Sequence, residues 1–265
     1  MNNDIVPKDL QAFLEKKVAE YNRPAFIADD PISVPHAYTL RQDIEIAGFF
    51  AAVFAWGNRK TIIGKTRQLL QLMDQAPYQF VMQHTGEDLR RLLHFRHRTF
   101  NATDLLYFIA FFRHHYGRYA SLEDAFLLPW EGTGSAGGWC AERALSAFYR
   151  YFFVLEDAPP RTHKHIATPE KRSGCKRLNM FLRWMVRRDN NGVDFGIWRR
   201  IPISRLVCPV DLHVARVASR FGLLDRPRSD WPAALQLTDH LLTFDRNDPV
   251  KYDFALFGLG VMEKF

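Results

Sequence analysis

The chain has 265 residues, 47% of them hydrophobic and 14% aromatic, with a formal net charge of +7. That content fills a substantial core and excludes a disordered or fibrous chain. The longest apolar run, 46–56, is shorter than the roughly 18 residues a membrane span needs, and the first residues show neither a secretory nor an organellar targeting pattern, so a cytoplasmic protein without a membrane span is expected.

Helical spacing begins with Leu10, Phe13, Leu14, Val18 and Tyr21, one apolar stripe that Pro24 closes. "DDPISVPHAYTL" has two prolines and no helical period, which predicts a loop before an apolar helix over about 43–56. A Gly57–Asn58 break follows, then a helix over 59–74 and shorter ones near 77–84 and 86–93. Residues 101–117, with Asn or Thr as cap and a closing Gly, read as a buried helix. Glycine-rich 131–138 reads as a flexible joint, and 139–155 as an amphipathic helix. "EDAPPRTHKHIATPEKRSG" then interrupts the pattern for almost twenty residues.

Helices are predicted again over 176–188, after Asp211, over 230–244 and over 248–260. No segment alternates convincingly enough for a strand. The expected fold is all-α, a single helical domain over 1–265 built as two lobes with a central cleft.

Three cysteines, Cys140, Cys175 and Cys208, are odd in number and widely spaced, so reduced thiols are expected. The histidines fall into no familiar ligand spacing, and neither a metal nor another cofactor is expected. Charge is concentrated in 161–200, where eleven Lys or Arg face Glu170, Asp189 and Asp194, a local excess of +8 that leaves the remainder near neutrality. Such a segment is either a nucleic-acid footprint or a solvated basic face.

"CPVDLHVARVASRFGLL" (208–224) places Asp211 at the head of a helix. An Asp there is a favoured N-cap, worth about 1 kcal/mol. The stretch also resembles the segment that bears the essential aspartate in the helix-hairpin-helix base-excision DNA glycosylases, with Asp211 on that aspartate. "GCKRLNMFLRWM" resembles the lysine helix of the bifunctional members, with Lys176 on the imine-forming lysine. "FFAAVFAWGNRKTIIGKTRQLLQLM" is similar to the early helix-break-helix whose polar residue enters the duplex, a place taken by Asn58. "DPVKYDFALFGLGVMEKF" is similar to the last helix of the glycosylase core. As a whole the sequence resembles more closely a bacterial family of conserved hypothetical proteins, through "DPISVPH", "FAWGNRKTII", "KRLNMFLRWMVR" and "PVDLHVARV".

The glycosylase resemblance implies a two-lobed helical fold with a degenerate helix-hairpin-helix. The usual apolar-x-Pro-Gly-apolar-Gly is replaced by "PEKRSGC", which keeps Gly174 alone. Lys171, Arg172 and Arg177 would then contact phosphates as charges. The 35-residue interval between Lys176 and Asp211 is long for the family, although archaeal 8-oxoguanine glycosylases have a longer spacer too, and the four-cysteine cluster loop is missing. The implied chemistry is removal of a damaged base: Asp211 would stabilise an oxocarbenium-like sugar and Lys176 would attack the anomeric carbon. Met180, one turn beyond Lys176, is a wall of the base pocket or part of the core. His213 and Arg216 hold the carboxylate, reach a phosphate, or are satisfied polar groups.

The implied function is a monomeric DNA repair glycosylase with abasic-site lyase activity on double-stranded, damaged DNA, with oxidised purines among the candidate lesions. Two competitors remain open from the residues: a helical nucleic-acid binder that has lost the chemistry, with Lys176 as a phosphate contact and Asn58 as an ordinary helix-break residue, and a helical interaction domain.

Overall fold

The computed structural model describes residues 9–130, 138–263 and 265. The glycine-rich joint expected over 131–138 falls, apart from Gly138, outside the described residues. The chain forms two compact units: one continuous, Ile27–Ala167, and one split, made of the chain up to Phe26 together with Thr168–Phe265. Both are helical, as the 3.6-residue apolar spacing requires.

In the continuous unit, α2 (Arg41–Phe54) is buried from Ile44 onward. It is followed by α3 (Arg59–Leu72), α4 (Pro77–Gln83) and α5 (Gly86–Arg90). Then come β1 (Arg96–His97) and β2 (Phe100–Asn101), α6 (Ala102–Tyr116) and α7 (Ala141–Phe152). The core is aromatic: the Phe49 ring lies 5.5 to 6.1 Å from those of Phe108, Phe112, Phe148 and Phe152. Glu45 is fully buried there on α2, and its carboxylate accepts hydrogen bonds from Tyr116, Ser121 and the Leu122 amide, which offset its desolvation.

The short antiparallel pair β1–β2 corrects the expectation of no strand. Two residues per strand are too few for an alternation to register, yet the alternation is there, with His97 and Phe100 turned into the core and Arg96 exposed. The long interruption over 156–174 is also more ordered than its composition suggests. It carries 3₁₀ turns at Pro160–His165 and Pro169–Lys171, each opened by proline.

The split unit contains α1 (Leu10–Tyr21), α8 (Lys176–Val186), α9 (Leu212–Arg220), α10 (Trp231–Phe244) and α11 (Tyr252–Val261). The apolar α11 is its centre, packing against α1 and α9. Among the described residues no helix is long and apolar enough to cross a membrane.

Candidate functional site

The site is built where α8 and α9 begin. The hairpin before α8 turns through Arg172 (φ +57°) and Cys175 (φ +49°), two side-chain-bearing residues in the left-handed region. It is pinned from both sides. Ser173 bridges Asp230, the Trp231 amide donates to the Arg172 carbonyl (3.2 Å), and Asn179 Nδ2 donates to the Gly174 carbonyl (3.1 Å). Gly174 is required by close approach, since a Cβ there would lie 2.2 Å from the Ser229 carbonyl oxygen. Lys176 is therefore the first residue of a helix whose start is fixed.

Asp211 is fixed independently. The Cys208 amide donates to the Thr238 hydroxyl of α10 (3.0 Å), Val210 is buried, and Asp211 takes an extended N-cap conformation. Its Oδ1 accepts from the His213 and Val214 amides at 2.9 and 3.0 Å. Its Oδ2 lies 3.8 Å from Lys176 Nζ, and the two side chains are 25% and 27% exposed. That distance exceeds a hydrogen bond, so the pair is a partly solvated ion pair worth at most about 1 kcal/mol. Its geometry matters more than its energy: both groups face each other and remain reachable from solvent.

Behind the pair lies a buried network. Arg183 contacts Asp194 and, closely, Asp253. Arg187 reaches Asp189, Asp194 and Asp248 at 2.7, 3.1 and 2.9 Å. Four carboxylates against two guanidiniums leave an excess of negative charge. Burial, reinforced by Asp211 and Asp194, pushes the Asp253 carboxyl up to about 6 against the pull of Arg183 and Lys176. Sequence reasoning passed over Asp253; its only local sign is an acid opening an otherwise apolar helix. The network also revises the charge count of 161–200, because Arg183 and Arg187 are buried in ion pairs and unavailable to a polyanion.

The remaining predicted residues divide as follows. Lys171 and Arg172 are exposed on the hairpin, Arg177 is half-buried, and Met180 is 8% exposed on α8. His213 and Arg216 are exposed on α9. It is the His213 backbone amide, and neither of these two side chains, that bonds Asp211. Asn58 belongs to the continuous unit, where its exposed side chain caps α3 by accepting from the Thr61 amide (3.3 Å). Cys175, next to Lys176, is a poor rival nucleophile: burial pushes its thiol up to about 12, against smaller opposing effects of Ser173 and Arg177. Among the described residues no group of three or more His, Cys, Asp or Glu could hold a metal ion.

The features define a helical protein of two compact units whose split unit presents a lysine and an aspartate, each at the head of its own helix. The chain belongs to the family described as "Protein of unknown function (DUF2400)", whose model matches residues 30–262 and so takes in both units and the site. No curated protein and no solved structure matches it significantly.

Proposed function

We propose that the protein is a DNA repair glycosylase with abasic-site lyase activity, acting as a monomer on double-stranded DNA that carries a damaged base, an oxidised purine being the preferred class. The observation that carries this reading is the 3.8 Å approach of Lys176 Nζ to Asp211 Oδ2, across 35 positions of sequence, in a place where both are partly exposed. Lys176 first passes a proton to the Asp211 carboxylate; the free amine attacks the anomeric carbon, the bond from that carbon to the base breaks as the base takes that proton from Asp211, and a second amine proton moves to the ring oxygen as the ring opens and the imine forms. The Asp211 carboxylate, beside the amine, stabilises the positive charge that develops at the sugar. Elimination from the imine then cleaves the strand.

A second feature supports the reading. In a Gly-apolar-Gly hairpin ending at Gly174, the earlier glycine position is occupied by Arg172, and Arg172 holds the left-handed conformation glycine favours (φ +57°). The experiment is borohydride trapping on duplexes bearing 8-oxoguanine or an abasic site. A covalent protein–DNA adduct, lost in Lys176→Gln, is expected; intact binding without any adduct removes the lyase claim.

One observation favours the alternative of a nucleic-acid binder without chemistry. The hairpin backbone pairs with residues 229–231 of its own chain, which turns part of it away from a phosphate. That alternative predicts salt-sensitive DNA binding unchanged by Asp211→Asn and no adduct with the unaltered protein.

A further inference from the structure

The β1–β2 hairpin of the continuous unit carries charge that the proposed chemistry does not use. Arg96, Arg98, Thr99 and Asn101 line a hollow of about 420 Å³ together with Arg161 and Lys164 from the 3₁₀ turn over Pro160–His165. Arg161 is anchored: its guanidinium donates to the Thr99 carbonyl (2.8 Å) and lies 3.4 Å from the buried Asp104. Burial pushes the Asp104 carboxyl up, but the His165 side chain, the Asn101 amide and the Thr162 hydroxyl outweigh it and hold Asp104 below the ordinary carboxylate range. Asp104 thus answers one of the four cations. Arg96, Arg98 and Lys164 are exposed, and among the described residues none has a carboxylate partner.

The hairpin holds these charges rigidly. His97 and Phe100 anchor it on the Phe54 ring, with centroids 5.0 and 4.9 Å away, and His97 Nε2 lies 3.2 Å from the Phe54 carbonyl oxygen. At the tip Arg98 has a left-handed backbone (φ +54°), a strained conformation for a residue with a side chain, of the kind that collects at functional sites. Its guanidinium lies over the Trp56 ring at 4.6 Å and presses on Gly57, where a Cβ would sit 2.5 Å from Nη1. The cationic hairpin and the Trp56–Gly57–Asn58 turn are therefore one packed surface.

We propose that this hollow is a second nucleic-acid contact, in which Arg96, Arg98, Arg161 and Lys164 hold backbone phosphates beside the Asn58 turn. All six of its lining residues are charged or polar, which suits a phosphodiester better than a small organic ligand. With Arg161 answered by Asp104, the other three cations of the hollow repel one another until an anion enters, and a chain of net charge +7 favours a polyanion. The inference rests on the nucleic-acid part of the proposed function and on none of its chemistry.

The test is duplex binding by fluorescence anisotropy across roughly 50 to 200 mM salt, with free pyrophosphate and polyglutamate as competitors. Each lost phosphate contact makes the slope of log affinity against log salt shallower by about 0.9. Lys164→Gln should lower the slope by that amount, and Arg96→Gln/Lys164→Gln by about 1.8. Arg96 Nε bonds the Arg98 carbonyl (3.3 Å), whereas among the described residues Lys164 makes no such bond, so the single variant guards against a loss caused by misfolding. Weak displacement by pyrophosphate is expected of a site built for a strand. Unchanged slopes in both variants overturn the inference, as do displacement of the duplex by equimolar pyrophosphate and a preference for polyglutamate. Shallower slopes without a borohydride adduct sustain this contact and remove the enzyme; an adduct with unchanged slopes does the reverse.

Discussion

Asp211 divides its two carboxylate oxygens: Oδ1 accepts the His213 and Val214 amides that start α9, and Oδ2 faces Lys176 Nζ at 3.8 Å. A helix cap and a charge-stabilising group therefore coexist in one side chain, which makes them separable by substitution. Asp211→Asn keeps a good capping residue and should change stability by a few tenths of a kcal/mol at most, while lowering base release by about 10²-fold or more. Asp211→Ala should add a stability loss of about 1 kcal/mol. Urea denaturation beside a single-turnover assay reads both; equal base release by the Asn variant and the unaltered protein assigns Asp211 to capping alone.

The hairpin before α8 depends on backbone contact. With the Ser229 carbonyl 2.2 Å from where a Cβ would stand, Gly174→Ala must displace the strand-like pairing of 172–174 with 229–231. A loss of about 1 to 3 kcal/mol in urea denaturation is expected. A neutral substitution would show that the hairpin yields freely.

Arg187 tests the division of the basic segment into buried and exposed charge. It is 2% exposed between Asp189, Asp194 and Asp248, and Arg187→Leu removes the ion-pair partner of Asp189 and Asp248 and leaves Asp194 with Arg183 alone. The expected cost is about 3 to 5 kcal/mol. Arg187→Gln should leave the salt slope of DNA binding unaltered in whatever fraction remains folded; a slope shallower by about 0.9 would place Arg187 on a phosphate instead.

His115 supplies a pH prediction. It is fully buried, with Nε2 2.9 Å from the Ser121 carbonyl oxygen, and burial pushes the ring down to about 4, against smaller upward effects of Ser121 and Asp124. The folded state thus binds fewer protons than the unfolded chain between about pH 4 and 6.5, so this contribution is complete above about 6.5 and is lost as pH falls toward 4, by about 3 kcal/mol in all. Comparing urea stability at both ends of that window in the unaltered protein and His115→Gln isolates the effect. An equal pH slope in the two would refute it.

What the sequence displays is what local chemistry determines. The helices over 10–21 and 59–72, the Asn101 cap and the Asp211 cap follow from apolar spacing and capping side chains a few residues apart. The burial of Arg183 and Arg187 was illegible because the nearby Asp189 and Asp194 look like ordinary surface acids and the other two partners, Asp248 and Asp253, lie 61 and 70 positions away, and counting charge along the chain reads such cations as surface. The β1–β2 hairpin escaped for a different reason, its strands being shorter than one alternation. The approach of Lys176 to Asp211 was carried by a resemblance to a family, since spacing alone cannot bring two helix starts together.

The most direct measurement is peptide mapping, by mass spectrometry, of the protein trapped with borohydride on an abasic-site duplex. A single sugar-derived modification on Lys176, formed also in Lys171→Gln and absent from Lys176→Gln, is the predicted result. An adduct on another lysine, or none under conditions where the duplex is bound, would contradict the assignment of Lys176 and Asp211 as the reacting pair.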